Sequence, residues 1–140
     1  MSVLRKTNIN LCFSHIDHFV LVVEDIEKSA AFYQNVLGMT LIRFGDNRVA
    51  VRCGHQKINF HQDDTFAKPK AVNPCVGSAD FCLITATPIS DVINYLSTQG
   101  IDVELGPVRR TGANRPLDSI YIRDLDANLI EIANEIIEDR

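Results

Sequence analysis

Four polar side chains stand out by their places in a repeat. His18 and Asp80 are 62 residues apart and Asn59 and Glu131 are 72 apart, and each pair occupies equivalent points of two similar half-chains. An imidazole and two carboxylates are good ligands for a divalent ion, and an amide oxygen completes a hard-to-borderline donor set. No local spacing gathers them. The cysteines, at 12, 53, 75 and 82, form no CxxC pair and have no metal-ligand spacing to one another or to a histidine. If the halves pack about a pseudo-two-fold axis, the four positions converge on one cleft. His61 lies two residues past Asn59, on the same strand face, where it could replace a missing imidazole or act as a base.

Each residue also has a plainer reading. His18 could be a core histidine bonded to backbone, Asp80 a strand-edge carboxylate facing water, Asn59 an amide serving the main chain, and His61 a solvent residue at a strand's end. Glu131, in Leu129-Ile130-Glu131-Ile132, is harder to dismiss, because a buried carboxylate without a partner is costly.

The elements that position these groups follow from hydrophobic period and punctuation. The apolar run 15–23 reads as a buried strand. Asp25 then caps a helix whose Ile26, Ala30, Tyr33 and Leu37 share one face, and Gly38 ends it. Strands at 39–44, 48–53 and 57–61 follow, separated by turns at 45–47 and 54–56. In the second half a strand at 79–85 precedes a helix opened by Thr87 as N-cap and Pro88 as N1. Ile89, Ile93 and Leu96 lie on one face, and Gly100 closes it. Strands at 101–105, 119–123 and 128–133 follow, with a long loop at 106–117.

Tyr33 and Gly38 match Tyr95 and Gly100 at an offset of 62, and Val49-Ala50-Val51-Arg52 matches Ile120-Tyr121-Ile122-Arg123 at 71. The predicted fold is therefore α+β, two tandem βαβββ modules at 15–62 and 78–134. A 63–77 linker joins them, within a single 15–134 domain. Residues 1–14 form an extension and 135–140 an acidic tail.

Composition narrows the function classes. The 140 residues are 46% hydrophobic and 23% charged, with a net charge of −4, an ordinary globular balance. No apolar run approaches the ~18 residues of a membrane helix, and no basic stripe suits a nucleic-acid backbone. The N-terminal residues show no apolar segment of a signal peptide. A cytoplasmic protein with reduced thiols that binds a small molecule is the expectation. Cys82, inside Phe81-Cys82-Leu83-Ile84, reads as a buried structural thiol.

The run Ile16-Asp17-His18-Phe19-Val20-Leu21-Val22-Val23-Glu24-Asp25, the segment from Lys28 to Met39, Ser119-Ile120-Tyr121-Ile122-Arg123-Asp124 and Asn128-Leu129-Ile130-Glu131-Ile132 together resemble the vicinal oxygen chelate superfamily. It includes glyoxalase I, fosfomycin-resistance thiol transferases, bleomycin-resistance proteins and extradiol dioxygenases. More narrowly, residues 56–61, 82–85 and 106–113 resemble the subgroup of glyoxalase domain-containing protein 5 and its bacterial relatives.

The resemblance implies a glyoxalase-like fold paired into an open barrel. It implies metal ligands at His18, Asn59, Asp80 and Glu131, and a homodimer whose sites form within or across subunits. The family usually has His or Gln where this chain has Asp80, and bacterial-type glyoxalases have Glu at Asn59. Two carboxylates and one imidazole still suit Ni, Zn, Mn or Fe.

The implied activity is that of a metal-dependent, glyoxalase I-like (lactoylglutathione lyase-type) enzyme. It would act on a small vicinal-oxygen substrate through an enediolate, with Glu131 or His61 moving the proton. Ser119, Tyr121 and Arg123 alternate onto one strand face, opposite Ile120 and Ile122, and are the substrate-binding candidates; in the fosfomycin-resistance proteins the positions matching the first two contact substrate. Arg109, Arg110 and Arg115 fall in the loop, where an anionic substrate could meet them. Two alternatives remain: extradiol ring cleavage, which needs a second His where Asp80 stands, and metal-free sequestration of the bleomycin-resistance kind.

Overall fold

The computed structural model describes residues 8–63 and 68–137; parts of the predicted extension, linker and acidic tail lie outside them. The predicted βαβββ order appears twice. The first module comprises β1 (His18–Val23), α1 (Ile26–Asn35), β2 (Thr40–Phe44), β3 (Arg48–Cys53) and β4 (Gln56–Gln62). The second comprises β5 (Asp80–Ile84), α2 (Ile89–Thr98), β6 (Leu105–Thr111), β7 (Pro116–Arg123) and β8 (Leu129–Glu135).

Each module forms a four-stranded sheet, in the orders β1-β4-β3-β2 and β5-β8-β7-β6. The outer pairs β1/β4 and β5/β8 are parallel, because a crossover helix separates β1 from the rest of its sheet and β5 from its own; the hairpin-linked neighbours are antiparallel. The sheets remain separate and form a curved cup, not a closed barrel.

One face of each sheet feeds a common core. Leu21, Val23, Val51 and Ile58 of the first module and Ile120, Ile122, Ile130 and Ile132 of the second belong to the same buried cluster. The rings of Phe19 and Phe81 meet across the module boundary, with centroids 5.2 Å apart. Period-two alternation therefore leaves each sheet a second, open face.

Local signals set the helix ends in one case and tertiary contacts in the other. The Asp25 carboxylate accepts from the Lys28 amide at 3.0 Å, as an N-cap should. The expected Thr87 cap does not form: Pro88 stands at the N-cap of α2 without a side-chain cap bond. Instead the Ile89 amide donates to Asn134 Oδ1 of β8 at 2.8 Å, and the Asn134 amide donates to the carbonyls of Thr85 and Thr87. A residue 45 positions away supplies the cap.

The expected 101–105 strand and 106–117 loop also change. Residues 105–111 pair with β7 as an edge strand. Nearly all of β6 is exposed, so no hydrophobic alternation announces it. Its entry is tight at Gly106, where φ is +117° and an added Cβ would lie 2.5 Å from the Ser119 carbonyl oxygen. Gly106→Ala should destabilise the protein by about 3 kcal/mol, through a disfavoured backbone region and a backbone clash. Urea unfolding measures this, and a change below about 0.5 kcal/mol would show that β6 adjusts freely.

A buried clasp joins the modules at the turn between β7 and β8. Asp124 Oδ2 accepts from the Tyr33 hydroxyl at 2.6 Å and the Asn128 side-chain amide at 2.9 Å. Its Oδ1 accepts from the backbone amides of Asp126 and Asn128. Asn128 Oδ1 in turn accepts from the Ala79 amide at 2.9 Å. Burial, reinforced by the Asp124 carboxylate, raises the Tyr33 pKa far above its ordinary range, so this phenol stays a proton donor.

Candidate functional site

Strand register places the predicted quartet on the open faces. On the first sheet His18, Val20 and Val22 of β1 align with Lys57, Asn59 and His61 of β4. On the second, Asp80 and Cys82 of β5 align with Leu129 and Glu131 of β8. Tyr121 stands opposite Glu131, and Ser119 opposite Ala133. His18, Asn59 and His61 thus share one open face, and Asp80, Glu131, Ser119, Tyr121 and Arg123 share the other. The two groups do not converge within one chain: among the described residues no cluster of three or more His, Cys, Asp or Glu is arranged to hold a metal ion.

Within each face neighbouring side chains orient some of these groups. His18 Nδ1 is 2.8 Å from the Asp17 carboxylate. Such a bond favours the tautomer with Nδ1 protonated and leaves Nε2 free for a ligand, as carboxylate–histidine pairs do at metal sites. The Asp17 pKa is lowered chiefly by that hydrogen bond. Glu131 accepts from the Ser119 hydroxyl at 2.7 Å, and Ser119 is fully buried. Asn59 is buried too, and its Oδ1 is the single buried side-chain polar atom without a hydrogen-bond partner among the described residues. An orphaned amide oxygen costs free energy unless something meets it.

His61 is half-buried, and its pKa is lowered by desolvation and then by the Arg48 charge, which favours the neutral ring. Arg123 is already engaged: Nε and Nη2 donate to the two Glu104 carboxylate oxygens at 3.0 Å each, and Nη1 donates to the Ala127 carbonyl. Cys82 is not the buried thiol expected from its apolar neighbours. It is exposed on the open face, because β5 is an edge strand whose alternate side chains turn away from the core. Crowding around the sulfur, and then the Glu131 carboxylate, push its pKa up to about 11.

The open faces differ in charge. The first is basic, presenting Arg48, Arg52 and Lys57 along with its histidines, and the second is mixed, presenting Asp80, Glu131 and Glu135 together with Arg110 and Arg123. Neither face is polar throughout: Val20 is 44% and Ile84 53% exposed.

Two site features escaped the sequence reading. Asp17 was legible as the neighbour of His18, but its hydrogen bond was not. Arg110, expected in a loop, belongs to β6 and pairs with Leu117 of β7.

The family model of the Glyoxalase/Bleomycin resistance protein/Dioxygenase superfamily matches residues 15–132. The chain is 48% identical over 129 residues to the virulence protein STM3117 of Salmonella typhimurium, covering 92% of this chain and 90% of that protein. The crystal structure of that protein superposes with a TM-score of 0.88, covering 90% of this chain and 100% of that one. A glyoxalase domain-containing protein, RDO1, of Mycosarcoma maydis is 44% identical over 119 residues, 85% of this chain and 67% of that protein. The lactoylglutathione lyase of Agrobacterium tumefaciens, 23% identical with a TM-score of 0.68 over 88% of this chain and 95% of that one, shares the fold. With the tandem modules and the matched span, the chain belongs to the glyoxalase/bleomycin resistance protein/dioxygenase superfamily.

Proposed function

We propose that this chain is a glyoxalase I-like, metal-dependent enzyme whose site forms when the first sheet of one copy faces the second sheet of another. The carrying observation is the division of the candidate donors between two open faces that do not meet within one chain. One face supplies His18 and the orphaned Asn59 oxygen, and the other supplies Asp80 and Glu131. Opposed, the faces bring together one imidazole and three oxygen donors, a set suited to Ni, Zn, Mn or Fe. Pairing also covers exposed apolar residues such as Val20 and Ile84.

A bound divalent ion would supply Lewis-acid polarisation of two adjacent substrate oxygens. The remaining chemistry belongs to the side chains. Glu131, its carboxylate oriented by Ser119, takes a proton from the carbon beside a carbonyl and returns it to the neighbouring carbon. His61, held neutral by its surroundings, offers a second proton acceptor on the facing sheet. Tyr121 stands opposite Glu131 to contact the substrate. Arg123 borders the same face, its guanidinium held by Glu104. The substrate class is a small carbonyl compound with vicinal oxygens, such as the hemithioacetal of methylglyoxal, handled in the cytoplasm.

The test is elemental analysis of the purified protein together with its mass in solution. Chelation followed by readdition of Ni, Zn, Mn or Fe(II) should restore about one ion per chain in a dimer, and the loaded protein should turn over the hemithioacetal. A monomer holding stoichiometric metal would refute assembly across copies. Failure of every ion to bind would refute the lyase reading and favour metal-free sequestration.

A further inference from the structure

Two hollows indent the open face of the second sheet, with volumes of about 380 and 430 Å³. Arg110 and Glu131 line both, so the hollows meet along this pair. The guanidinium of Arg110 is held in place. Its Nε donates to the Tyr121 hydroxyl at 2.9 Å, Nη1 donates to the Arg109 carbonyl at 3.3 Å, and its carbon lies 5.5 Å from the centre of the Tyr121 ring.

What Arg110 lacks is a carboxylate. Arg43 pairs with Glu27 and Arg123 with Glu104, while Arg110 has no acidic partner within 4.0 Å among the described residues. A guanidinium fixed on one edge, with unused donors beside a hollow, matches the fork of a carboxylate. Because Tyr121 already orders it, little rotamer freedom remains to be lost on binding. Four acids line the hollows. Glu104 is paired with Arg123, Glu131 accepts from Ser119, and in the proposed function Asp80 and Glu131 hold the metal; Glu135 alone remains, and it lines one hollow and not the other.

We infer that Arg110 binds an anionic group on the substrate, a carboxylate remote from the two vicinal oxygens that face Glu131. The substrate class is then a vicinal-oxygen compound with a distal negative charge, rather than a neutral dicarbonyl or diol. This deepens the function proposed above and rests on it.

The test uses two probes that differ only in the distal group. 2-Oxoglutarate and 2-oxopentanoate share a vicinal oxygen pair, and the first alone carries a second carboxylate. Calorimetric titration of the Mn(II)-loaded protein should show 2-oxoglutarate binding about 10- to 100-fold more tightly, the range of a charged hydrogen-bonded pair. Arg110→Gln should erase the preference while leaving 2-oxopentanoate affinity unchanged. Arg110→Lys should keep part of it, as a point charge without the fork.

Equal affinity of the wild type for both probes, or a preference that survives Arg110→Gln, would overturn the inference alone. A parallel loss of both probes in Arg110→Gln would mark the residue as structural and overturn it too. If the wild type binds neither, the vicinal-oxygen reading falls and takes this inference with it.

Discussion

Asp124→Ala is expected to lower stability by about 3–5 kcal/mol, the range for breaking a buried polar network. One carboxylate satisfies four donors here: the Tyr33 hydroxyl, the Asn128 side-chain amide and two backbone amides. Removing it strands the Tyr33 and Asn128 donors in a region where Asp124 is 8% and Asn128 0% exposed. The loss is a large share of the roughly 5–15 kcal/mol that a domain of this kind possesses. Tyr33→Phe should cost only about 1–2 kcal/mol, because the carboxylate keeps its other three donors. The double variant should be less destabilised than the sum, since both changes disrupt one bond. Urea unfolding of the four proteins settles the matter. Additive costs, or less than about 1 kcal/mol for Asp124→Ala, would mean that the clasp contributes little to joining the modules.

The second large effect concerns assembly of the site. His18→Ala and Glu131→Ala should each abolish metal binding when prepared alone, because either change empties a ligand position in both sites of the proposed dimer. Refolded together, the two chains should recover metal. In a mixed dimer one site carries both substitutions, and the other joins the intact first sheet of one chain to the intact second sheet of its partner. Random pairing predicts about a quarter of the wild-type metal per chain, from the closed two-fold symmetry of the dimer. No recovery, despite mixed dimers detected by differential tagging, would place both ligands in one chain. Full metal retention by His18→Ala would remove that residue from the donor set. Light scattering of each variant checks that the dimer persists.

Much of this architecture was legible in residue order. Asp25 announced α1, because an N-cap is a local bond three residues long. The Ser119/Tyr121/Arg123 alternation assigned their common face correctly, because strand geometry alone dictates it. What misled were features settled at long range. Thr87 had the chemistry of a cap, yet Asn134 caps α2 from another strand. β6 looked like a loop, because an exposed edge strand has no apolar stripe and is defined by its pairing. Cys82 sat in an apolar run, and an edge strand turned it outward. Arg110 was visible only as a basic loop residue, since its place beside Glu131 depends on the β6–β7 register.

By itself the sequence determined the two βαβββ modules and their internal symmetry, set by local period, capping and repetition, and it marked His18, Asn59, Asp80 and Glu131 as the candidate ligands. The tertiary structure decided how those modules face. Their apolar faces share one core, so the open faces with His18 and Asn59 on one sheet and Asp80 and Glu131 on the other do not meet within a chain. Residue order dictates which side chains share a strand face; burial of the common core dictates which faces remain free to meet a second molecule.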